Sequence, residues 1–120
     1  MSIQQEELRR GNYISLTDIG KVEVLGVLPD KIYYTPSKDR RLHDFLYSLY
    51  VYASPIEITE TILLRFGFRK NEVFEIYHNE LFTLWYHGNK IGYQNTEIKY
   101  VHQLQNLYFA LTGKELIDNN

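Results

Sequence analysis

At 120 residues, with a formal net charge of −2 and no cysteine, the chain is expected to be a single domain, 1–120, with a core that needs no covalent staple. The missing thiols exclude disulfides, thiolate metal sites and cysteine nucleophiles, and so weak a net charge gives no field that would by itself draw nucleic acid or a membrane surface. Hydrophobic and charged contents of 44% and 23% are ordinary for a soluble globular protein, so the feature that stands out is tyrosine, with 11 copies beside 6 Phe and 1 Trp.

The opening stretch MSIQQEELRR has no apolar run, and no segment approaches the roughly 20 apolar residues of a membrane span, so neither a signal peptide nor a membrane segment is expected. Ser2 to Arg10 reads as one frayed helical turn, with Ser2 as its cap, Gln5 three places on, and Gly11 as its stop. NYIS and GKVEVLGVL follow as two strands around a turn at Asp18, Ile19 and Gly20. In the second, Val22, Val24 and Val27 alternate with Lys21 and Glu23, a half-buried pattern that Gly26 disturbs. Pro29-Asp30 turns the chain into KIYYT, a third short strand, and together these predict a small, strongly bent antiparallel sheet.

In RRLHDFLYSLYVYA two periodicities compete. Leu42, Phe45, Leu46, Leu49 and Tyr50 fit a helix, while Phe45, Tyr47, Leu49 and Val51 fit a strand. The reading adopted is a helical start that becomes extended by Tyr50. PIEITETILLRFGF is clearer. Thr59 is a natural N-cap, Ile58 and Leu63 are placed as a hydrophobic staple, and Gly67 with Phe68 folding back on Leu63 forms a C-terminal stop. A two-turn helix from Glu60 to about Phe66 follows. VFEIY, LFTLWY and IGYQ then read as a meander through HNE and HGNK, and Glu97 to Tyr100 as a last strand. From Val101 the apolar positions Val101, Leu104, Leu107, Tyr108 and Leu111 trace an amphipathic helix that Gly113 stops and Leu116 or Ile117 seals. The order predicts an α+β fold: a small antiparallel, partly barrel-like sheet with a short central helix and a C-terminal amphipathic helix.

Chemistry is sparse. His102 sits with Gln103, Gln105 and Asn106 on what reads as the solvated face of the last helix, and is taken as structural. His78 and His87 each follow a strand of one hairpin, which puts about 20 Å between them and prevents a shared metal. No serine lies in a nucleophile-elbow sequence, and neither a phosphate-loop nor a dinucleotide fingerprint is present. The chain is therefore expected to be no enzyme, to hold no metal and to need no cofactor. The binding feature that remains is the loop TPSKDRRLHD. There Lys38, Arg40 and Arg41 follow Tyr33 and Tyr34 and precede Tyr47, a combination of guanidinium groups and rings that suits phosphates and bases. Asp39 and Asp44 interrupt its charge.

Three blocks, LRRGNYIS, PIEITETILLRFGF and IKYVHQLQNLYFALTGKEL, span nearly the whole chain. With them the sequence resembles a family of small uncharacterised proteins that recur in gut bacteria, their prophages and their phages. It departs from the family pattern at Glu57, where a second proline is usual, and across Lys38–Ala53, which varies freely. The resemblance implies no activity and no functional residue. It implies a context: a phage or mobile-element accessory protein in the cytoplasm of a bacterial host. Combined with the tyrosine content, the expected function is stoichiometric binding of a host or phage protein, with a homodimer as a further possible partner state. The alternative is nucleotide or nucleic-acid binding through Arg40, Arg41, Tyr33, Tyr34 and Tyr47.

Overall fold

Two five-stranded antiparallel sheets, each with neighbouring helical turns, carry the α+β fold of the computed structural model, which describes residues 3–36 and 46–118. The chain divides into two units, Met1–Ile56 and Glu57–Asn120, with one sheet in each.

In the first unit, LRRGN makes the entry. Asn12 is fully buried, its Oδ1 accepts from the Arg9 N–H at 2.8 Å, and its carbonyl accepts from the Val24 N–H at 2.8 Å. The motif is a buried corner whose amide satisfies backbone that would otherwise be orphaned. Before it, Gln5–Glu7 forms a 3-10 turn capped by Gln4, whose N–H donates to Glu7 Oε2 at 2.8 Å. The expected cap, Ser2, lies outside the described residues.

Strands β1 (Tyr13–Leu16), β2 (Gly20–Val27), β3 (Lys31–Thr35), β4 (Leu46–Leu49) and β5 (Ala53–Ser54) form a sheet in the order β4-β3-β2-β1-β5. Its two edge strands are joined by a 3-10 turn of only three residues, Tyr50–Tyr52. Four strand spacings of about 4.8 Å would hold those edges some 19 Å apart in a flat sheet, while a 3-10 turn rises only about 2 Å per residue. The sheet must therefore curl, as a partly closed barrel. Ile14, Leu16, Val22, Val24, Ile32 and Tyr34 fill its interior, joined by Ile3 and Leu8. The register shift between Val24 and Gly26 is the disturbance expected at Gly26.

Two expectations fail here. Glu23 is buried, because it sits on the central strand in register with Tyr13 on one side and Thr35 on the other, both themselves buried. Leu46–Leu49 is extended, paired to β3, and it is Tyr50–Tyr52 that turns. With both faces apolar, the open edge of β3 decides the conformation by supplying ladder partners that a helix could not use. The expected helical start at Leu42 to Phe45 lies outside the described residues.

In the second unit, α1 (Glu60–Arg65) forms where its end signals place it. Thr59 Oγ1 accepts from the Ile62 N–H at 3.3 Å; at the other end Gly67 (φ 93°) and Phe68 donate to the Leu64 and Leu63 carbonyls, each at 3.0 Å. Thr59→Ala is expected to lower stability by about 1 kcal/mol in urea denaturation. Strands β6 (Arg69–Asn71), β7 (Ile76–His78), β8 (Thr83–His87), β9 (Lys90–Tyr93) and β10 (Thr96–Glu97) follow as a meander in the order β10-β9-β8-β7-β6. β6 was not expected, since Arg-Lys-Asn carries no strand signal; the edge of β7 recruits it. Val73 and Phe74, expected in the strand VFEIY, instead occupy a turn in which Asn71 Oδ1 accepts from both their N–H groups, at 3.0 and 3.2 Å. The last strand is shorter than expected, and Tyr100 instead makes an isolated bridge with Glu57.

α2 (Val101–Thr112) ends at Gly113 (φ 73°), and Leu116 beyond it is buried as expected. Its buried stripe, however, runs through Val101, Leu104, Gln105 and Tyr108, with His102 beside it, while Leu111 is exposed. Gln105 occupies an apolar-stripe position, with its Nε2 donating to the Leu116 carbonyl at 3.5 Å. His102 and Gln105 thus do not belong to a solvated face. No helix among the described residues is long and apolar enough to cross a membrane.

Candidate functional site

On the first sheet, strand alternation sorts the tyrosines predicted as binding residues. Ile32 and Tyr34 point into the core, Tyr34 being only 5% exposed, so Lys31 and Tyr33 lie on the outer face. Across the ladder Tyr33 is paired with Tyr47 and Lys31 with Leu49, which collects all four on one face. The Tyr33 and Tyr47 rings meet edge to face at 6.4 Å, and Lys31 Nζ stands 5.0 Å from the Tyr47 centroid and 5.8 Å from that of Tyr33. Such contacts contribute about 0.5–1 kcal/mol apiece and fix the rings in place. Tyr47 is 63% exposed and Leu49 45%, and the turn beyond them continues the apolar surface with Val51 at 72% and Tyr52 at 52%. β4, which carries Tyr47 and Leu49, is an edge strand. The structure therefore brings Tyr33 and Tyr47 together and assigns Tyr34 to the core. Arg40 and Arg41, with Lys38, lie outside the described residues.

The second unit holds a cleft of about 540 Å³. Arg69 on β6 and His78 on β7 are ladder partners, so their side chains leave the same face side by side. Lys114, just past the stop of α2, reaches the same space, and Tyr108 of α2 lines it. Asn79 Nδ2 donates to Tyr108 Oη at 3.1 Å, and Asn79 Oδ1 accepts from the Leu81 N–H at 2.9 Å. The grouping is not visible in the sequence, because its members (Arg69, His78, Asn79, Tyr108, Lys114) are spread over 45 positions from first to last. The one local signal was an Arg directly after the Gly67-Phe68 stop.

Elsewhere on the second sheet, Tyr77 Oη donates to Glu60 Oε1 at 2.8 Å, and Lys70 Nζ pairs with the same oxygen at 3.1 Å while standing 5.2 Å from the Tyr86 centroid. Burial, then the hydrogen bond to Glu60, pushes the Tyr77 phenol up to about 12. The hydrogen bond from Lys70, then that from Tyr77, holds the Glu60 carboxyl below its usual range. A phenol that keeps its proton longer when folded lends stability that is fully present below about pH 10 and is lost as pH rises through about 12. Tyr77→Phe is expected to flatten the fall in stability across that window, measured by urea melts at stepped alkaline pH. An unchanged slope would contradict the assignment.

Among the described residues, the other two histidines, His87 and His102, do not line the cleft. His102 is buried, with its ring parallel to that of Tyr100 at 6.1 Å. His78 lies opposite Thr83, so His87 is four residues farther along β8, about 14 Å away rather than the 20 Å expected. Among the described residues no group of three or more His, Asp or Glu is placed to hold a metal ion. Compared with protein-family models, curated proteins and solved structures, the chain matches none.

Proposed function

We propose that the chain is a non-enzymatic binding protein, an accessory of a phage or mobile element that acts in the bacterial cytoplasm by holding one protein partner on the outer face of its first sheet. The observation that carries this reading is the stretch Tyr47–Tyr52. Within six residues on an edge strand and its following turn, Tyr47, Leu49, Val51 and Tyr52 are all exposed, and Tyr33 and Lys31 back them. Aromatic rings held rigid by neighbours make strong interface anchors, because little side-chain entropy is lost when they are covered. An edge strand adds unpaired backbone groups to which a partner's strand can bond. The family resemblance supports the context, and its three sequence blocks map onto a buried corner, a capped helix and a sealing helix, leaving recognition of a protein partner to other residues.

The test compares the wild-type chain with the double variant Tyr47→Ser, Tyr52→Ser as bait in host lysate, followed by affinity measurement on the purified partner. A one-to-one complex that the double variant weakens about a hundredfold or more is expected, since two aromatic anchors are removed. Equal affinity for both baits would overturn the reading. Sedimentation of the chain alone decides whether the partner is a second copy. Binding of oligonucleotides that fades with salt, with no protein captured, would favour the nucleic-acid alternative, in which Tyr33 and Tyr47 stack on bases.

A further inference from the structure

The cleft of the second unit is a separate site, and its chemistry points to a different ligand. We propose that it binds a small molecule bearing a single phosphate monoester, with Arg69 and Lys114 as the charged donors and the Tyr108 hydroxyl at its base.

Four observations carry this. The volume, about 540 Å³, falls within the roughly 300–1,000 Å³ of small-molecule sites. Arg69 and Lys114 enter from different elements, and neither has an ion-pair partner among the described residues, whereas Lys70 next door is paired with Glu60. Charges left unpaired beside a concavity remain available to a ligand. The Tyr108 side chain is buried, and its hydroxyl accepts from Asn79, which leaves its own proton to be donated into the cleft. Asn79 is itself pinned by the Leu81 N–H, so the polar base of the cleft is preorganised.

The donor set chooses among anions. Guanidinium, ammonium, phenol and the His78 imidazole converge from β6, from beyond α2, from α2 itself and from β7. That is more than the two oxygens of a carboxylate use, and it suits the three terminal oxygens of a phosphate monoester. Among the described residues, Glu80 supplies the only carboxylate of the lining. It disfavours a second anionic group and can accept from a hydroxyl or amino group on the body of the ligand, so a monophosphate fits better than a polyphosphate. Exposed Leu81 offers that body an apolar wall.

The experiment titrates the full chain with inorganic phosphate, glucose 6-phosphate, adenosine 5′-monophosphate and adenosine, following amide and Asn79 side-chain signals by NMR. Saturable binding of at least one monoester below about 1 mM is expected, tighter than inorganic phosphate and absent for adenosine. Arg69→Gln and Lys114→Gln should each weaken it about tenfold, and Tyr108→Phe, which keeps the ring in the core, should weaken it without unfolding the chain. Preference for the sugar phosphate or for the nucleotide identifies the body of the ligand. Equal binding of inorganic phosphate and both monoesters would mean an adventitious ion only and would overturn the proposal. So would no saturation by any probe, or saturation that Arg69→Gln and Lys114→Gln leave unchanged.

Discussion

Replacing Gly92 by alanine is expected to lower the stability of the chain by about 3 kcal/mol, read as a fall in the urea midpoint. Gly92 is the ladder partner of Trp85 on β8 and of Glu97 on β10. The Trp85 indole lies flat across it, fixed there by Nε1 donating to the Gln94 carbonyl at 2.7 Å. A Cβ at this position would overlap the indole and come within 2.5 Å of the Thr96 carbonyl oxygen. The indole can move only by giving up its hydrogen bond, and the carbonyl belongs to the first residue of β10, which is paired with β9, so neither obstacle yields cheaply. Gly113→Ala is the control: its φ is 73° but nothing stands within 4 Å, so strain alone should cost about 1 kcal/mol. If the two variants lose equal stability, the indole does not cover Gly92 in solution.

Leu104→Ala should cost about 3–4 kcal/mol, while Leu111→Ala on the same helix should stay within about 0.5 kcal/mol. Both leucines continue the same apolar spacing in sequence, yet Leu104 is fully buried and Leu111 is 54% exposed. Truncating the first leaves a cavity in close-packed surroundings; truncating the second removes only surface. The pair therefore reports how α2 is rotated, and comparable losses would restore the stripe read from sequence alone.

The difference at α2 shows where legibility ran out. Its ends were readable, because Gly113 and Leu116 act locally, as Thr59 and Gly67 do for α1. Its facing was not. A glutamine at a stripe position looks like surface until Leu116 returns to offer Gln105 a carbonyl, and that contact spans 11 residues. The same contrast holds for strands. β2 and β3 announced themselves by alternation and by turns at Gly20 and Pro29-Asp30, whereas β6 has no propensity of its own and exists because β7 offers an edge. The outer aromatic face was half legible: Tyr33 and Tyr47 were singled out as residues near a basic loop, but only the β3–β4 register separates them from Tyr34. The cleft was not legible at all, since Arg69, His78, Tyr108 and Lys114 meet only through the fold.

The recognition proposed for the first sheet's outer face makes one demand that no stability measurement reaches. Amide hydrogen exchange of the chain, alone and saturated with its purified partner, should show new protection across Tyr47–Tyr52 and along Lys31–Thr35, with the second unit unchanged. Protection confined to the second unit, with Tyr47–Tyr52 exchanging as fast as in the free chain, would contradict the account.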